Sequence, residues 1–347
     1  MRSQDLEHLL EEEKQLWQRH LQWDYTASAA LIKRFVDARA LPGYAAVDGG
    51  RTVGYSFYVY EDYKGLIGDV FVSGAFTDGA TESELLRNVI ETMQGTPGIR
   101  RIETQLMNFG DRPISQCFHS QNFRSFGRKF LFRELVDCPL SSLSQNPDIT
   151  LAPWDPRWTS EAAHLITRAY HGHIDSAIND QYRSHAGAMR FLDNILHYPG
   201  CGRFDAGCSF LAFRKDTSRL CGMVLTSVVR DRVGHITQVC VDPEAQGTGL
   251  GFNLICESLQ KLQQRRFHTV TLTVTAANSS ALRLYEKMQF STLRDFQAFV
   301  WDASGQDRSQ PWNHQGNTQE PSAGGASSAP AGSEESDGSG RNSRSRL

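Results

Sequence analysis

The amino-acid sequence predicts an α/β (α+β) protein made of two tandem copies of one domain and a disordered C-terminal tail. Three observations predict this architecture. The chain has 347 residues, about twice the ~100–200 residues of an ordinary domain. Segments with the two-residue period of strands alternate with segments of helical period. The second half of the chain also repeats part of the first.

The internal repeat is clearest in two strand-rich segments. RTVGYSFYVYEDYKGLIGDVFV begins at Arg51 and aligns with RLCGMVLTSVVRDRVGHITQVCV, which begins at Arg219. The offset between the copies is 168 residues at the start and 169 from Gly65 and Gly234 onward. A one-residue insertion in the loop between two strands explains this change. So few matches can arise by chance, but the elements around them agree, and we predict two copies of one domain.

Each half contains a similar series of predicted elements. In the second half, TVTLTVT alternates Val270, Leu272 and Val274 with threonines, which is typical of a strand with one buried face. The other elements there are a strand from residue 149, helices near 159–170, 186–196, 250–262 and 279–287, strands at 209–214, 220–229 and 234–241, and terminal strands to 301. The first half has helices within 5–40, strands near 44–72, a helix at 82–93, and strands at 99–106 and near 122–135. We therefore predict two mixed, twisted sheets, each flanked by helices.

Composition sets the boundaries of these units. Residues 141–148, SSLSQNPD, are typical of a linker. From residue 303 onward Ser, Gly, Pro and charge dominate, so that segment cannot bury enough apolar surface to offset the entropy of ordering. The predicted units are a domain at 1–140, a linker at 141–148, a domain at 149–302 and a disordered tail at 303–347.

Charge and cysteine usage exclude several classes of function. The formal charge is -3, from 36 basic and 39 acidic side chains, so we expect no nucleic-acid partner, which would need a concentrated basic face. No apolar stretch reaches the ~18 residues of a membrane helix, and the acidic N-terminus is unlike a secretory peptide. The seven cysteines are scattered and form no C-x-x-C pair. We therefore expect a soluble, cytoplasmic protein with reduced thiols, no membrane contact and an undetermined oligomeric state.

A glycine-rich loop is the most informative motif. Residues 239–251, VCVDPEAQGTGLG, form a strand that ends at Pro243 and pass through three glycines into an amphipathic helix. Glycines let main-chain N–H groups approach a ligand, and a helix N-terminus adds positive potential, so the loop suits a phosphate or pyrophosphate. It lacks the Walker and G-x-G-x-x-G patterns. The alternative is an ordinary strand-to-helix turn with glycines for packing.

The order of elements, with Q-x-x-G-x-G after the fourth strand and NSSALRLYEKMQF beyond the fifth, resembles the GNAT superfamily of acyl-CoA-dependent N-acyltransferases. The resemblance covers residues 149–301 strongly and 1–135 only through the repeat. It implies acetyl-CoA, or another acyl-CoA, as co-substrate and no metal. The residues implied to hold the pyrophosphate are Gln246, Gly247, Thr248, Gly249, Leu250 and Gly251. Those implied to lie along the pantetheine arm are Val239, Cys240, Val241 and Asn278.

The same resemblance implies the catalytic groups. Tyr285 would lie beside the thioester sulfur, and a phenol with an ordinary pKa near ~10 stays protonated and can donate to a leaving thiolate. Many relatives carry a glutamate base on the fifth strand, where this chain has Thr273. His235, or Asp231 before it, is a candidate substitute base, although each could be only a strand-end or turn residue. The N–H of Val239 is the expected oxyanion donor.

A second polar segment, YHGHIDSAIND, follows the first helix of the second half. His171, His173 and Asp175 match part of a dinuclear metal-hydrolase motif, but Ser176 replaces its last histidine and no preceding strand is predicted. We therefore predict no metal. In a GNAT domain this segment borders the acceptor site, which implies that His173, Asp175 and Asn179 contact the substrate. The alternative is a polar helix cap and loop.

The first half has lost the features of the glycine-rich loop. An offset of 169 places residues 77–82, TDGATE, opposite residues 246–251, with one glycine and two carboxylates in place of the phosphate cradle. Carboxylates would repel an anionic pyrophosphate. We predict a degenerate GNAT-like domain that serves as a scaffold or as a wall of the acceptor site. Retention of CoA in another way is the alternative.

These observations predict an acyl-CoA-dependent N-acyltransferase. An acetyl group would pass to a primary amine by direct attack in a ternary complex, since no motif presents a cysteine as nucleophile. The tandem layout, with the intact loop in the second half, is similar to that of the mycothiol synthase family, but a similar layout does not carry the substrate over. A small-molecule amine and a protein N-terminus or lysine stay open as acceptors. A non-catalytic acyl-CoA sensor or interaction protein is the alternative function.

Overall fold

A computed structural model provides the fold and describes residues 1–77, 79–108, 113–136 and 147–303. Most of the predicted linker at 141–148 and all but the first residue of the predicted tail at 303–347 lie outside these residues. Within the described part of the chain, no helix combines the length and the apolar composition that a bilayer crossing requires.

The predicted elements occur in the predicted order in both halves, and the structure adds three short elements that the sequence did not predict: a helix at Pro113–Ser120, a helix at Asp175–Ile178 and a strand at Arg203–Phe204. The first half contains α1 (Ser3–Leu21), α2 (Thr26–Asp37), β1 (Gly43–Asp48), β2 (Arg51–Glu61), β3 (Lys64–Val72), α3 (Ala80–Gln94), β4 (Arg101–Gln105), α4 (Pro113–Ser120) and β5 (Arg124–Glu134). The second half contains β6 (Ile149–Pro153), α5 (Thr159–Ala169), α6 (Asp175–Ile178), α7 (His185–His197), β7 (Arg203–Phe204), β8 (Phe210–Arg214), β9 (Leu220–Arg230), β10 (Val233–Val241), α8 (Leu250–Gln264), β11 (Thr269–Thr275), α9 (Ser279–Lys287) and β12 (Ser291–Asp302). The terminal strands predicted to 301 form one continuous strand, β12.

The two sheets are joined into one mixed sheet because the halves exchange their last strands. The strand order is β1-β2-β3-β4-β12-β5-β11-β10-β9-β8-β6, with the short β7 paired to β9. β5, from the first half, pairs antiparallel with β11, so that Arg128 lies opposite Thr275. β12, from the second half, pairs antiparallel with β4, so that Ala298 lies opposite Gln105. Each half therefore completes the sheet of the other.

Helices cover this sheet and bury the residues that the sequence pattern placed inside. On α8, all five residues predicted at helical spacing are buried: Leu250, Leu254, Ile255, Leu259 and Leu262. Full burial of such a side chain stabilises the fold by ~1.5–3 kcal/mol. The prediction that only one face of β11 is buried is wrong, because Thr271 and Thr275 are buried as well. β11 lies in the middle of the sheet, and its threonine hydroxyls bond to other side chains, Thr271 to His235 and Thr275 to Asp175.

A gap between two parallel strands positions the site in the second half. β10 pairs with β11 only from Val233–Ile236, opposite Thr269–Leu272, and the two strands separate beyond Ile236. The first half has the same arrangement, since β3 pairs with β4 only from Lys64 to Leu66. In the first half, however, Thr104 Oγ1 donates to the Ile67 carbonyl across the start of the gap, at 3.0 Å.

Candidate active site

A cavity of about 730 Å³ opens where β10 and β11 separate. Nearly all of the site residues predicted from the sequence line it: His173, Asp175, Asn179, His235, Val239, Cys240, Val241, Gln246, Gly247, Gly249, Leu250, Gly251, Asn278 and Tyr285. Thr248 does not line it, and its hydroxyl donates to the Ala245 carbonyl at 2.8 Å. Asp231, the other candidate base, does not line it either and is exposed in the turn between β9 and β10. The glycine-rich loop, the gap between the strands, α9 and the segment around α6 therefore meet at one place.

The main chain of β10 presents polar groups to the gap. The Asp242 N–H donates to Cys221 O on the β9 side, and main-chain groups of alternate residues face the same edge of a strand. The N–H and C=O groups of Val239 and Val241 therefore face the gap. Their carbonyls accept from side chains, Val239 O from the Tyr170 hydroxyl at 3.3 Å and Val241 O from Gln246 Nε2 at 3.2 Å. The two N–H groups point towards the space between the strands.

The glycine-rich loop fits an anionic group such as pyrophosphate. Gly247 and Gly249 have φ values of 77° and 81°, in the left-handed region that favours glycine. A Cβ atom at either glycine would meet no atom within 4 Å, so the main chain is open on that side. Gly249 is the N-cap of α8, and no side chain from the described residues caps it. The first N–H groups of α8 are thus left for a ligand, and the helix dipole favours a negative charge there.

Tyr285 on α9 is held as a protonated phenol. Its side chain is buried and packs edge-on against Phe290, with ring centroids 5.7 Å apart. Burial, and then the negative charge of Asp175, raise the pKa of Tyr285 to about 12, although the charge of Arg128 opposes the shift. At neutral pH the hydroxyl therefore carries its proton and can donate it.

His235 lies in an aromatic environment that weakens it as a base. The ring is 5% exposed and lies between Trp23 and Phe130, at centroid distances of 5.0 and 5.9 Å. Its Nδ1 bonds to Thr271 Oγ1 at 2.8 Å. Burial lowers the pKa of His235 to about 3. A base of that strength competes poorly for the proton of an amine, which favours the structural alternative that the sequence left open for His235.

The segment around α6 brings His173 and Asp175 to the cavity. Asn278 Oδ1 accepts from the Ala281 N–H, which leaves its Nδ2 to meet His173 Nε2 at 3.3 Å. Thr275 donates a short hydrogen bond to Asp175 Oδ1. Asn179 lines the cavity too, but its Oδ1 caps the following turn by accepting from Gln181 N at 3.0 Å.

The partial metal-hydrolase motif in this segment does not assemble. His173 and Asp175 line the cavity, whereas His171 does not line it and is exposed. Among the described residues, no group of three or more His, Cys, Asp or Glu side chains is arranged to hold a metal ion.

Sequence reasoning missed the residues that the first half contributes to the cavity. These are Trp23, Gln105, Met107 and Arg128. Arg128 lies on β5 and reaches the cavity because β5 pairs with β11. The local pattern of RSFGRKFLFRE indicates a strand but does not specify its neighbour, so no signal in one sequence could have placed Arg128 there.

Buried ion pairs from the first half hold the segment that follows α6. Lys64 Nζ is 2.6 Å from Asp180 Oδ1, and the Tyr63 hydroxyl donates to Asp180 Oδ2 at 2.7 Å. Arg101 Nη2 donates to the Ala177 carbonyl at 2.7 Å. Burial raises the pKa of Asp180, but the hydrogen bond and charge of Lys64, with Tyr63 and Arg101, lower it overall. The position of His173 and Asp175 therefore depends on the first half.

The first half closes its own equivalent of the glycine-rich loop with a carboxylate. Gly79, with φ 82°, is the N-cap of α3, and its N–H donates to Glu82 Oε2 at 3.1 Å. Glu82 is only 2% exposed. The helices begin at Ala80 and Leu250, an offset of 170 rather than the expected 169. The structural counterpart of Glu82 is therefore Phe252, not Gly251.

The separated parallel strands and the uncapped helix N-terminus between them define a GNAT-type acyltransferase fold. Residues 167–290 match the family described as the Acetyltransferase (GNAT) family. The second half of the chain is therefore similar to the GNAT acetyltransferases. The expected fold is confirmed.

Several relatives share the description mycothiol acetyltransferase. A mycothiol acetyltransferase from Thermomonospora curvata is 43% identical over 160 residues, covering 46% of this chain and 50% of that protein. A mycothiol acetyltransferase from Thermobispora bispora is 28% identical over 255 residues, covering 70% of this chain and 78% of that protein, so the similarity extends into the first half. The chain spans about half the length of the first relatives it matches, 50% and 52%.

Solved structures share the architecture across both halves. A GCN5-related N-acetyltransferase from Sphaerobacter thermophilus has a TM-score of 0.62 at 14% identity, covering 87% of this chain and 94% of that one. A tandem GNAT protein from the clavulanic acid biosynthesis pathway has a TM-score of 0.57 at 12% identity, covering 88% and 98%. At such identities the likeness shows the fold alone.

Proposed function

We propose that this chain is an N-acetyltransferase that transfers the acetyl group of acetyl-CoA to a primary amine of a small molecule. One observation carries the proposal: an uncapped helix N-terminus, a strand edge with unpaired N–H groups and a protonated tyrosine face the same cavity. The six cysteines that the structure describes are free thiols, which favours the reducing cytoplasm as the location.

Two groups of residues would bind acetyl-CoA. The pyrophosphate would lie at the N-terminus of α8, where Gln246, Gly247, Thr248, Gly249, Leu250 and Gly251 form the loop. The pantetheine arm would enter the gap along Val239, Cys240 and Val241, with Asn278 on its other side. When bound, acetyl-CoA supplies the acetyl group as a thioester.

Tyr285 and the main chain of β10 would stabilise the transfer. The amine nitrogen forms a bond to the acyl carbon while the carbon–sulfur bond breaks. The Val239 N–H, which faces the gap, donates to the acyl oxygen as negative charge develops there. Tyr285 donates its proton to the leaving thiolate, which the pKa of about 12 permits because the phenol is fully protonated at neutral pH.

The proton of the amine would leave towards Asp175 and His173 rather than towards His235. Asp175 Oδ1 accepts from Thr275, and its Oδ2 lies 3.6 Å from His173 Nδ1. Both side chains line the cavity. Burial lowers the pKa of His235 to about 3, which makes it a poor proton acceptor.

The acceptor that fits best is the amine whose acetylation gives mycothiol. A relative that matches both halves is named a mycothiol acetyltransferase, and residues of both halves line the cavity, Trp23 and Met107 from the first and Tyr182 from the second. A wall built from two sides favours a small molecule over a protein segment, which would need an open groove.

The test is acetyl transfer from acetyl-CoA to the deacetylated precursor of mycothiol and to a panel of amines and peptides. Mass spectrometry of the acetylated product is the right readout, because both CoA and this acceptor carry thiols. Tyr285→Phe should lower kcat by ~10²–10⁴-fold with the Kd for acetyl-CoA unchanged. Tyr182→Phe, which removes another phenol that lines the cavity, is the matched control and should change kcat only a few-fold. Equal effects of the two variants would contradict the role of Tyr285.

A non-catalytic acyl-CoA sensor is the second candidate. Thr273 stands where many relatives have a glutamate base, and burial weakens His235. Tight binding of acetyl-CoA in calorimetry without transfer to any amine would favour the sensor over the enzyme.

A further inference from the structure

Among the described residues of the first half, Arg128 is the one strongly charged group that lines the cavity of the second half. β5 carries it there, and its guanidinium forms three hydrogen bonds with side chains of the second half. Nη1 donates to Thr275 Oγ1 at 2.8 Å and to Asp175 Oδ1 at 3.3 Å, and Nη2 donates to Thr273 Oγ1 at 3.2 Å. The guanidinium thus lies against the position where many GNAT relatives carry a glutamate.

The charge balance of the cavity depends on two side chains. Among the described residues that line it, Arg128 is the only lysine or arginine and Asp175 the only aspartate or glutamate. The other titratable groups that line it are His173, His235, Tyr170, Tyr182, Tyr285, Cys201 and Cys240. Burial raises the pKa of Tyr170, Tyr182, Tyr285, Cys201 and Cys240 and lowers that of His235, so these six stay neutral at neutral pH.

One hydrogen-bond donor of Arg128 has no partner among the described residues. Its Nε is buried and has no partner in the part of the chain that the structure describes. A buried donor without a partner costs ~1–3 kcal/mol. This unpaired donor belongs to a side chain that lines the cavity.

We infer that Arg128 is a positioning residue for the transfer reaction, which fixes Asp175 and sets the net charge that the amine acceptor meets. The inference rests on the proposed function. Asp175 alone would hold the acceptor as an ammonium ion, which cannot attack the thioester. With Arg128 beside it, the pair is neutral overall, and the acceptor loses its proton more readily.

The inference gives opposite effects for removal of the two charges. Without Arg128 the cavity gains net negative charge, so the bound amine holds its proton to higher pH. Without the charge of Asp175 the cavity gains net positive charge, so the bound amine loses its proton at lower pH. The acid limb of the kcat profile reports the ionisation within the bound complex and should therefore move in opposite directions.

The experiment measures kcat for acetylation of the deacetylated mycothiol precursor between pH 5.5 and 9.5, at saturating acetyl-CoA, with acetyl-CoA affinity determined separately by calorimetry. The variants are Arg128→Gln, Arg128→Lys and Asp175→Asn. Arg124→Gln is the matched control, since Arg124 lies on the same strand but is exposed and pairs with Asp302 outside the cavity. Thermal melts establish that each variant is folded.

We expect Arg128→Gln to move the acid limb up by about one pH unit and Asp175→Asn to move it down. Arg128→Lys should leave it near its original position, and Arg124→Gln should change nothing. All four variants should bind acetyl-CoA as tightly as the parent. An acid limb that stays in place in Arg128→Gln, or in Asp175→Asn where Arg128→Gln fails to fold, would overturn the inference alone. A parent protein that binds acetyl-CoA and acetylates no amine would overturn the proposed function itself.

Discussion

The two halves differ most where each has a strand followed by a glycine-led helix. α3 and α8 both begin after a glycine with positive φ, Gly79 and Gly249. In α3 the first turn is closed by Glu82, which accepts from the Gly79 N–H. In α8 the corresponding residue is Phe252, and the described residues offer no cap to Gly249.

This difference shows how the same helix start can be closed by a side chain or left open for a ligand. A glutamate in the first helical turn stabilises the helix through the same N–H groups and the same dipole that would otherwise hold a phosphate. Glu82 therefore adds local stability to α3 at the position that an anionic ligand would need. The gap between β3 and β4 changes in the same way, since Thr104 bonds across it.

The largest expected effect concerns the contact by which the first half holds the second. Asp180→Ala should lower the free energy of unfolding by roughly 2–5 kcal/mol, because it leaves Lys64 buried with fewer partners. Urea denaturation measures this. Asp193→Ala, at an exposed position on α7, is the control. Loss of stability within error of that control would show that the first half does not anchor the α6 segment.

The next largest effect is expected when the second half is given the carboxylate that closes α3 in the first half. Phe252→Glu places the carboxylate of the first half into the second, and should weaken acetyl-CoA binding by roughly 30–100-fold, about 2–3 kcal/mol, through repulsion of the pyrophosphate. Isothermal calorimetry gives the Kd. Phe252→Gln has a similar shape without the charge and should lose much less. Equal losses would assign the effect to the packing of Phe252 against Lys287.

The smallest expected effect uses a buried carboxyl pair of the first half. Glu13 on α1 is 1% exposed, accepts hydrogen bonds from Tyr55 and Trp17, and interacts with Asp69. By the repeat offset of 169, Asp69 corresponds to Gln238, which lines the cavity of the second half. Burial, and then the charge of Asp69, raise the pKa of Glu13 well above its ordinary value of 4.5.

Because the pKa of Glu13 is higher in the folded protein, its contribution to stability is complete below pH 4.5 and is lost as the pH rises through the folded value. Glu13→Gln mimics the protonated side chain and should remove this loss. We expect the variant to match the parent near pH 4.5 and to exceed it by about 1 kcal/mol or more at pH 8. Melting temperatures across this range test it, with exposed Glu11→Gln on the same helix as control. A parallel pH dependence of parent and variant would contradict the raised pKa.

The sequence was sufficient for features with local causes. The apolar spacing of α8, the alternation of β11 and the glycines before Leu250 each follow from residues within one element, and the cavity contains nearly all the residues predicted for it. The sequence alignment of the two loops was one residue off because it matched residue types along the chain. In the structure the two helices align on the glycines with positive φ, Gly79 and Gly249.

The features that the sequence could not predict depend on pairing between strands that are far apart in the chain. The contact of β5 with β11 joins residues about 140 positions apart, as in Lys129 opposite Val274, and consecutive elements are the default neighbours. The exchange therefore went unpredicted, and Arg128 with it. The burial of Thr271 and Thr275 on β11 has the same origin, since their partners come from other segments, His235 for Thr271 and Arg128 for Thr275.

The exchanged strands also make the second half depend on the first. Removal of the first half would take β5 away from β11 and β4 away from β12, and it would remove Arg128 from the cavity. The second half would be left with an exposed sheet edge, which invites aggregation. Strand exchange therefore ties the second half to the first, whether or not the first half binds a ligand.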